Sequence, residues 1–275
     1  MSCQNNPNIE VQGHRGCRGL LPENSLPAFE KAIKLGVHTL EMDVVITKDK
    51  KVLVSHEPFM RADICFDSQG DEIKKSEERT FNVYEMDYHQ VLLYDCGSKS
   101  HPDYSEQINQ PVRKPLLDDV FELAQRLSSE VRFNIEIKSK VEYDGTFTPA
   151  PEEFVALVLE VIDNYQMEDI TNLQSFDLRT LEAIRKQAPN MKVALLVDED
   201  EDIESKLKKL SYKPEIVSPE YKALTAEIVN NLQSLDYQVI PWTVNDSDDL
   251  QRMIDFKVDA IITDYPDRLI NMLKN

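Results

Sequence analysis

Phe133-Asn134-Ile135-Glu136-Ile137-Lys138 alternates apolar with polar side chains over six residues. On a strand this puts Asn134, Glu136 and Lys138 on one face and Phe133, Ile135 and Ile137 on the other. The run 132–138 opens a series. Strand-like runs recur at 170–175, 192–197, 215–218, 238–244 and 259–263. Helical patterns near 151–166, 177–187, 202–210, 223–234 and 247–256 separate them, and one near 116–128 precedes the first. Upstream runs at 9–13 and 38–46 complete a set of eight, and Val52 to Ser55 is an extra run expected to fold back on the second strand. Alternating β and α elements that close after eight strands predict an α/β fold of the TIM-type (β/α)8 barrel. Periodicity alone leaves an open doubly wound sheet as the alternative.

A chain of 275 residues is a normal length for one such barrel, so 1–275 reads as a single catalytic domain. Residues 57–114 break the repeat. They hold mixed polar clusters, a helical piece near 84–93 and a Pro/Asn/Gln/Ser-rich stretch at 100–111. Connections this long are usually functional. The segment is expected to be an inserted cap over the carboxyl-terminal mouth, not an independent domain.

A barrel gathers the chemistry at that mouth. His14 and Arg15 follow the first strand, Glu41 and Asp43 lie on the second, and the run ending at Ser55 delivers His56. Glu136 and Lys138 lie on the third strand, Gln174 ends the fourth, Glu220 follows the sixth and Trp242 ends the seventh. Glu41 and Asp43 share a strand face, where two buried acids repel each other and lose hydration; a bound cation is the usual compensation. Glu136 completes a three-carboxylate site for Ca²⁺ or Mg²⁺, with Glu23 near it. Two histidines can move protons, while Arg15 and Lys138 can meet a phosphate. Trp242, the single tryptophan, would be an apolar wall against the alcohol part of a substrate. Taken singly, each piece reads equally well as structural. Together they suit phosphodiester cleavage.

The ordered motifs carry a resemblance. His14-Arg15-Gly16, Pro22-Glu23-Asn24, Glu41-x-Asp43, Thr47-Lys48-Asp49 and His56 resemble the amino-terminal pattern of the glycerophosphodiester phosphodiesterases. Arg79-Thr80-Phe81, Lys114-Pro115-Leu116, Ile135-Glu136-Ile137-Lys138 and Leu173-Gln174-Ser175-Phe176-Asp177 continue it. Pro241-Trp242-Thr243-Val244-Asn245 and Ile261-Ile262-Thr263-Asp264-Tyr265-Pro266 close it, so it spans about residues 9–270. Lys50 and Lys257 stand where that family often has glycine, and Glu57 where it commonly has Asp. The resemblance favours the barrel over the open sheet. It implies metal-dependent hydrolysis to glycerol 3-phosphate and an alcohol, through a cyclic phosphate, with His14 and His56 as acid and base. A lysophospholipase D-like activity and an inactive phosphodiester-binding protein are the alternatives. A carboxylate glycosidase would leave the histidines, Arg15 and Lys138 without a purpose.

Composition narrows the partners. A net charge of −19 disfavours nucleic acid and anionic membranes. The expected partner is a small glycerophosphodiester; no oligomeric state is implied. No run is long enough to span a membrane. Met1-Ser2-Cys3-Gln4-Asn5-Asn6-Pro7-Asn8 resembles the start of a processed bacterial lipoprotein, which would place the protein in the periplasm or cell envelope; a native Met1 would leave it cytoplasmic. Cys3, Cys17, Cys65 and Cys96 show no CxxC or zinc spacing, and Cys17 is expected to be a small buried filler. Seven glycines, against about 19 by average usage, suggest a chain idealised away from a natural parent.

Overall fold

A computed structural model describes residues 9–127 and 129–274. Its first strand, β1 (Glu10–Gly13), ends in a tight turn and is followed by helix α1 (Leu26–Leu35). Ser25 caps α1 by accepting from Ala28 N, Pro27 fits its first turn, and Gly36 ends it at φ 91°. Then come β2 (Thr39–Ile46) and β3 (Val52–Val54). The segment that follows holds the single-turn helix α2 (Tyr88–Val91) and leads to α3 (Leu117–Arg126). The remaining units are β4 (Arg132–Ile137), α4 (Pro151–Tyr165), β5 (Thr171–Ser175), α5 (Leu178–Gln187), β6 (Lys192–Val197), α6 (Ile203–Leu207) and β7 (Ile216–Pro219). The chain ends with α7 (Ala226–Ser234), β8 (Gln238–Val239), α8 (Ser247–Asp255), β9 (Ala260–Thr263) and α9 (Pro266–Lys274).

Eight strands run parallel in the order β8-β7-β6-β5-β4-β2-β1-β9. Asp259 N donates to Val239 O, Ile262 N to Pro241 O and Val244 N to Ile262 O, which joins the last two strands and closes the barrel. The TIM-type barrel read from the sequence is therefore the fold. β3 folds back antiparallel on β2, as its position after the second strand predicted.

The alternation in β4 sorts the interior from the exterior. Phe133, Ile135 and Ile137 face outward into a core shared with Phe121, Phe154 and Val158. Asn134 faces inward and donates to Gln12 Oε1, while Asn172 donates to Asn134 Oδ1. Ala194, Ile216, Ile240, Ala260 and Ile262 fill the other half of the barrel's inside. The barrel is thus packed across its middle; a polar cavity of about 290 Å³ opens at the amino-terminal strand ends, while the histidines and the carboxylate cluster gather at the carboxyl-terminal mouth.

Several elements differ from the expectation. The run 238–244 is a regular strand only at Gln238–Val239, because Pro241 has no N–H to give the ladder. Ile240 N and Trp242 N still donate to Val217 O and Pro219 O. The helical piece near 84–93 shrinks to α2, since Met86 is extended and Asp87 starts a new cap. Helices α1 and α9 add to the helical patterns expected from the sequence, one after the first barrel strand and one after the last. Lys50 and Lys257 take φ 61° and 58°, as expected where related chains carry glycine. Non-glycine residues at positive φ are also what an idealised backbone avoids.

Residues 57–114 carry a small core of their own. Met60, Ile64, Ile73, Val83, Val91 and Tyr94 pack together and against Val45 and Leu53 on the outer side of β2 and β3. Cys65 and Cys96 form a disulfide inside it. Cys17 is free and buried, with its thiol on Ala28 O. The Cys3 tether lies outside the described residues. No helix among them is long and apolar enough to cross a membrane.

Candidate active site

The carboxylate cluster follows from strand register. Asp43 and Glu136 are direct partners across the β2–β4 ladder, and Glu41 lies two residues earlier on the same inward face. One ligand oxygen from each of Glu41, Asp43 and Glu136 lies within 4.8 Å of the others, and all three residues are buried. Burial and the charge of Asp43 hold the Glu41 carboxyl well above its usual range. Burial also raises Glu136, to about 7; Asp43 adds to this and Lys138 opposes it. Burial would raise Asp43 too, but the charges of Arg15, His56 and Lys138 bring it well below the usual range. Gln174 donates to Glu41 Oε1 at 3.0 Å and leaves its own amide oxygen buried with no hydrogen-bond partner. Three crowded carboxylates beside a spare amide oxygen fit a hard divalent cation.

The turn after β1 aims the next groups. Arg15 at φ 49° and Gly16 at φ 86° reverse the chain in two consecutive left-handed residues. A Cβ on Gly16 would come within 2.8 Å of the Ala28 backbone, so helix α1 admits only glycine there. The turn directs Arg15 N to Glu41 Oε2 at 3.0 Å. The Arg15 guanidinium pairs with Glu23 Oε1 at 2.9 Å and stands 3.2 Å from Asp43 Oδ2. Asn24, at φ 52°, donates to Asp43 Oδ2. Lys138 Nζ lies 2.7 Å from Glu136 and 3.5 Å from Asp43.

His14 and His56 each have Nδ1 tied to a carboxylate. His14 Nδ1 lies 2.7 Å from Asp264 Oδ1, and His56 Nδ1 lies 2.9 Å from Glu57 Oε1. A carboxylate accepts only, so Nδ1 carries the proton and Nε2 is the free nitrogen. His14 Nε2 stands 3.8 Å from Glu41. Burial lowers both imidazoles to about 4; Arg18 contributes at His14, and Arg15 and Lys138 contribute at His56. Both rings are therefore neutral bases near pH 7.

His14, Arg15, Glu41, His56, Glu136, Lys138, Gln174 and Trp242 line one cavity of about 180 Å³. Trp242 donates to Ser218 O and meets Phe176 edge-on. Two of the sequence candidates sit elsewhere. Glu220 does not line the cavity: its carboxylate accepts from Lys222 N and starts the turn after β7. Glu23 is absent from the carboxylate cluster and is held by Arg15, Arg18 and Arg61.

A family model described as glycerophosphoryl diester phosphodiesterase matches residues 14–268. The chain belongs to that family. A glycerophosphodiester phosphodiesterase of Bacillus altitudinis is 31% identical over 266 residues, covering 96% of this chain and 97% of its own. The crystal structure of a glycerophosphoryl diester phosphodiesterase from Silicibacter pomeroyi superposes with TM-score 0.87 at 30% identity, over 97% of this chain and 93% of that one. A phosphodiesterase from Oleispira antarctica, solved with its product sn-glycerol-3-phosphate, shares the fold at TM-score 0.77 and 20% identity, over 97% of each chain.

Within this member of the family, Asp264 is the residue that sequence reasoning quoted in a motif without giving it a task. It accepts from Arg18, Tyr104 and Asn245 as well as meeting His14. The available signal was its place just after the last barrel strand, on the same rim as His14. Asn24 and Glu57 were likewise visible beside residues that had been singled out.

Proposed function

We propose that this chain hydrolyses glycerophosphodiesters to glycerol 3-phosphate and an alcohol, with a divalent cation and with His14 and His56 as the proton-transfer pair. One observation carries the reading: two neutral imidazoles with free Nε2 atoms line the same small cavity as Glu41 and Glu136, two members of the three-carboxylate cluster that Asp43 completes behind them. Glu41, Asp43 and Glu136 would hold Ca²⁺ or Mg²⁺, which supplies Lewis-acid stabilisation of the phosphoryl oxygens. Arg15 and Lys138 add charge-assisted hydrogen bonds to the phosphate. One imidazole takes the proton of the glycerol 2-hydroxyl as that oxygen attacks phosphorus, and the other protonates the departing alcohol. The negative phosphodiester raises the proton affinity of the nearby imidazoles, so a ring lowered to about 4 when free can carry the proton it must donate. Water opens the cyclic phosphate with the roles reversed. Trp242 and Phe176 line the alcohol side.

The segment 57–114 is read as a cap within the single catalytic domain. Its support is that Arg61 Nη1 and His101 Nε2 approach Glu23, at 3.6 and 4.0 Å, and Glu23 holds Arg15. The Cys65–Cys96 disulfide favours an oxidising compartment, hence the periplasm or cell envelope. Thiol counting on protein extracted under alkylating conditions tests that.

The deciding assay is glycerol 3-phosphate release from glycerophosphocholine and glycerophosphoethanolamine, with Ca²⁺, with Mg²⁺ and with chelator. Metal-dependent release is expected, and His14→Ala or His56→Ala should each cost on the order of 10²–10⁴ in rate. Turnover that survives both substitutions, or full activity in chelator, would overturn the reading.

A further inference from the structure

Lys114 is buried, and its Nζ donates to Ser55 Oγ at 2.9 Å. Among the described residues it forms no ion pair. Burial pushes its ammonium down to about 8, against the more distant pull of the Glu23 and Glu57 carboxylates. An ammonium in a dry place with one neutral acceptor is unfavourable, and a methionine would fill the same space without that cost. The surroundings suggest what the charge does there. Lysine can only donate, so Ser55 Oγ must accept from it and is left to donate its own proton. That proton goes to Glu57 O at 2.7 Å. His56 lies between Ser55 and Glu57, and its ring is fixed by the Glu57 side chain. The brace is anchored at both ends: Ser55 N donates to Asp43 O, and Val54 N donates to Pro115 O beside Lys114.

Resting on the diesterase reading, we infer that Lys114 is a positioning residue for His56, acting through Ser55 to hold the 55–57 turn and with it the ring tautomer. Lys114 is neither among the residues that line the cavity nor one of the cluster's carboxylates. Its one hydrogen bond toward the site runs through Ser55 to the turn that carries His56.

The test uses the metal-loaded full chain with Lys114→Met, Ser55→Ala and the double variant; Ser55→Ala keeps the test alive if Lys114→Met does not fold. Each is expected to lower kcat for glycerophosphocholine by about 10- to 100-fold, the range expected from a small misplacement. KM should stay within about threefold, since ground-state binding is untouched. The double variant should be no worse than either single one, because both cut the same chain of contacts. Nitrogen-15 spectra of the histidine side chains read the ring without turnover. The unmodified protein should show His56 as one tautomer protonated at Nδ1, and both single variants should mix tautomers. An unchanged His56 signal, full kcat in both single variants, or losses that add in the double variant would each overturn the inference. An inactive unmodified protein would sink the diesterase reading alone, and the His56 spectra would still decide the role of Lys114.

Discussion

Asp264 shows how a single side chain can set two properties. Burial alone would raise its carboxyl, yet the charges of His14 and Arg18 and their hydrogen bonds hold it well below the usual range. A carboxyl with a depressed folded value contributes stability that is complete above its unfolded value, near 3.9, and is lost as pH falls through the folded value. Asp264→Asn removes that acid-sensitive contribution and leaves the Arg18 guanidinium short of a partner. It also replaces a group that can only accept with an amide that can present either its oxygen or its NH2, so the His14 proton is no longer confined to Nδ1. We expect kcat to fall on the order of 10²–10⁴, with substrate binding little changed. Steady-state kinetics on the purified variant check this, and a kcat within about threefold of the unmodified protein would rule out tautomer control by Asp264. A second residue-scale prediction comes from the backbone. Lys257 holds φ 58° and Lys50 φ 61°, a region that costs a side-chain-bearing residue about 1–2 kcal/mol. Glycine relieves that strain but loses more entropy, so Lys257→Gly should stabilise by about 0.5–1 kcal/mol. Lys50→Gly should gain less, because it gives up the Nζ contacts to Tyr84 and Glu153. Urea unfolding measures both, and a lower midpoint for Lys257→Gly would show that the turn is not strained.

Elements explain why some of the site was legible and some was not. Period-two alternation on β2 and β4 puts Glu41 with Asp43, and Glu136 with Lys138, on a shared face from sequence alone, because strand geometry leaves no other choice. The pairing of Asp43 with Glu136 needed the register of two strands some ninety residues apart in the chain, and the order of β runs supplied only their adjacency. Glu220 could not be placed by such reasoning: a residue just past a strand end is free to cap the next turn, and it does. Cys65 and Cys96 gave no spacing signal, since their pairing depends on how an irregular segment folds around Met60 and Val83. That bridge has an element-scale consequence. It closes a loop of sequence separation 31, so chain entropy gives it about 3–4 kcal/mol of stabilisation. Arg61 and His101 flank the two cysteines in sequence and meet on Glu23, which secures Arg15. Cys65→Ala with Cys96→Ala should therefore lower the unfolding midpoint and also weaken turnover. Identical urea midpoints with and without reductant would show that the bridge contributes nothing.

At the scale of the whole molecule, a chain of net charge −19 buries three of its acids against one another in the cluster at the barrel mouth. Without a cation the folded protein raises Glu41 well above the usual carboxyl range and Glu136 to about 7. A carboxyl with a raised folded value works against folding as pH climbs from its unfolded value, near 4.3, to its folded one, because the unfolded chain ionises first. The cation-free protein should lose stability across that window, and Asp264 and Asp43 act in the opposite sense only at much lower pH. A divalent cation competes with the proton for the same oxygens, so its binding becomes tighter as pH rises and levels off once Glu41 and Glu136 are both ionised. Binding to the folded state alone adds about 2.7 kcal/mol at a hundredfold excess over Kd. The thermal midpoint with Ca²⁺ or Mg²⁺ minus the midpoint in chelator should therefore grow as pH rises from 5 through 7, by about a few degrees for a chain of this size. Glu136→Gln should make the curve shallower, since it removes one competing proton and one ligand together and leaves only the Glu41 dependence. A difference that stays constant with pH in the unmodified protein would mean that the cation binds somewhere other than Glu41, Asp43 and Glu136, and that the buried acids keep their charge by other means.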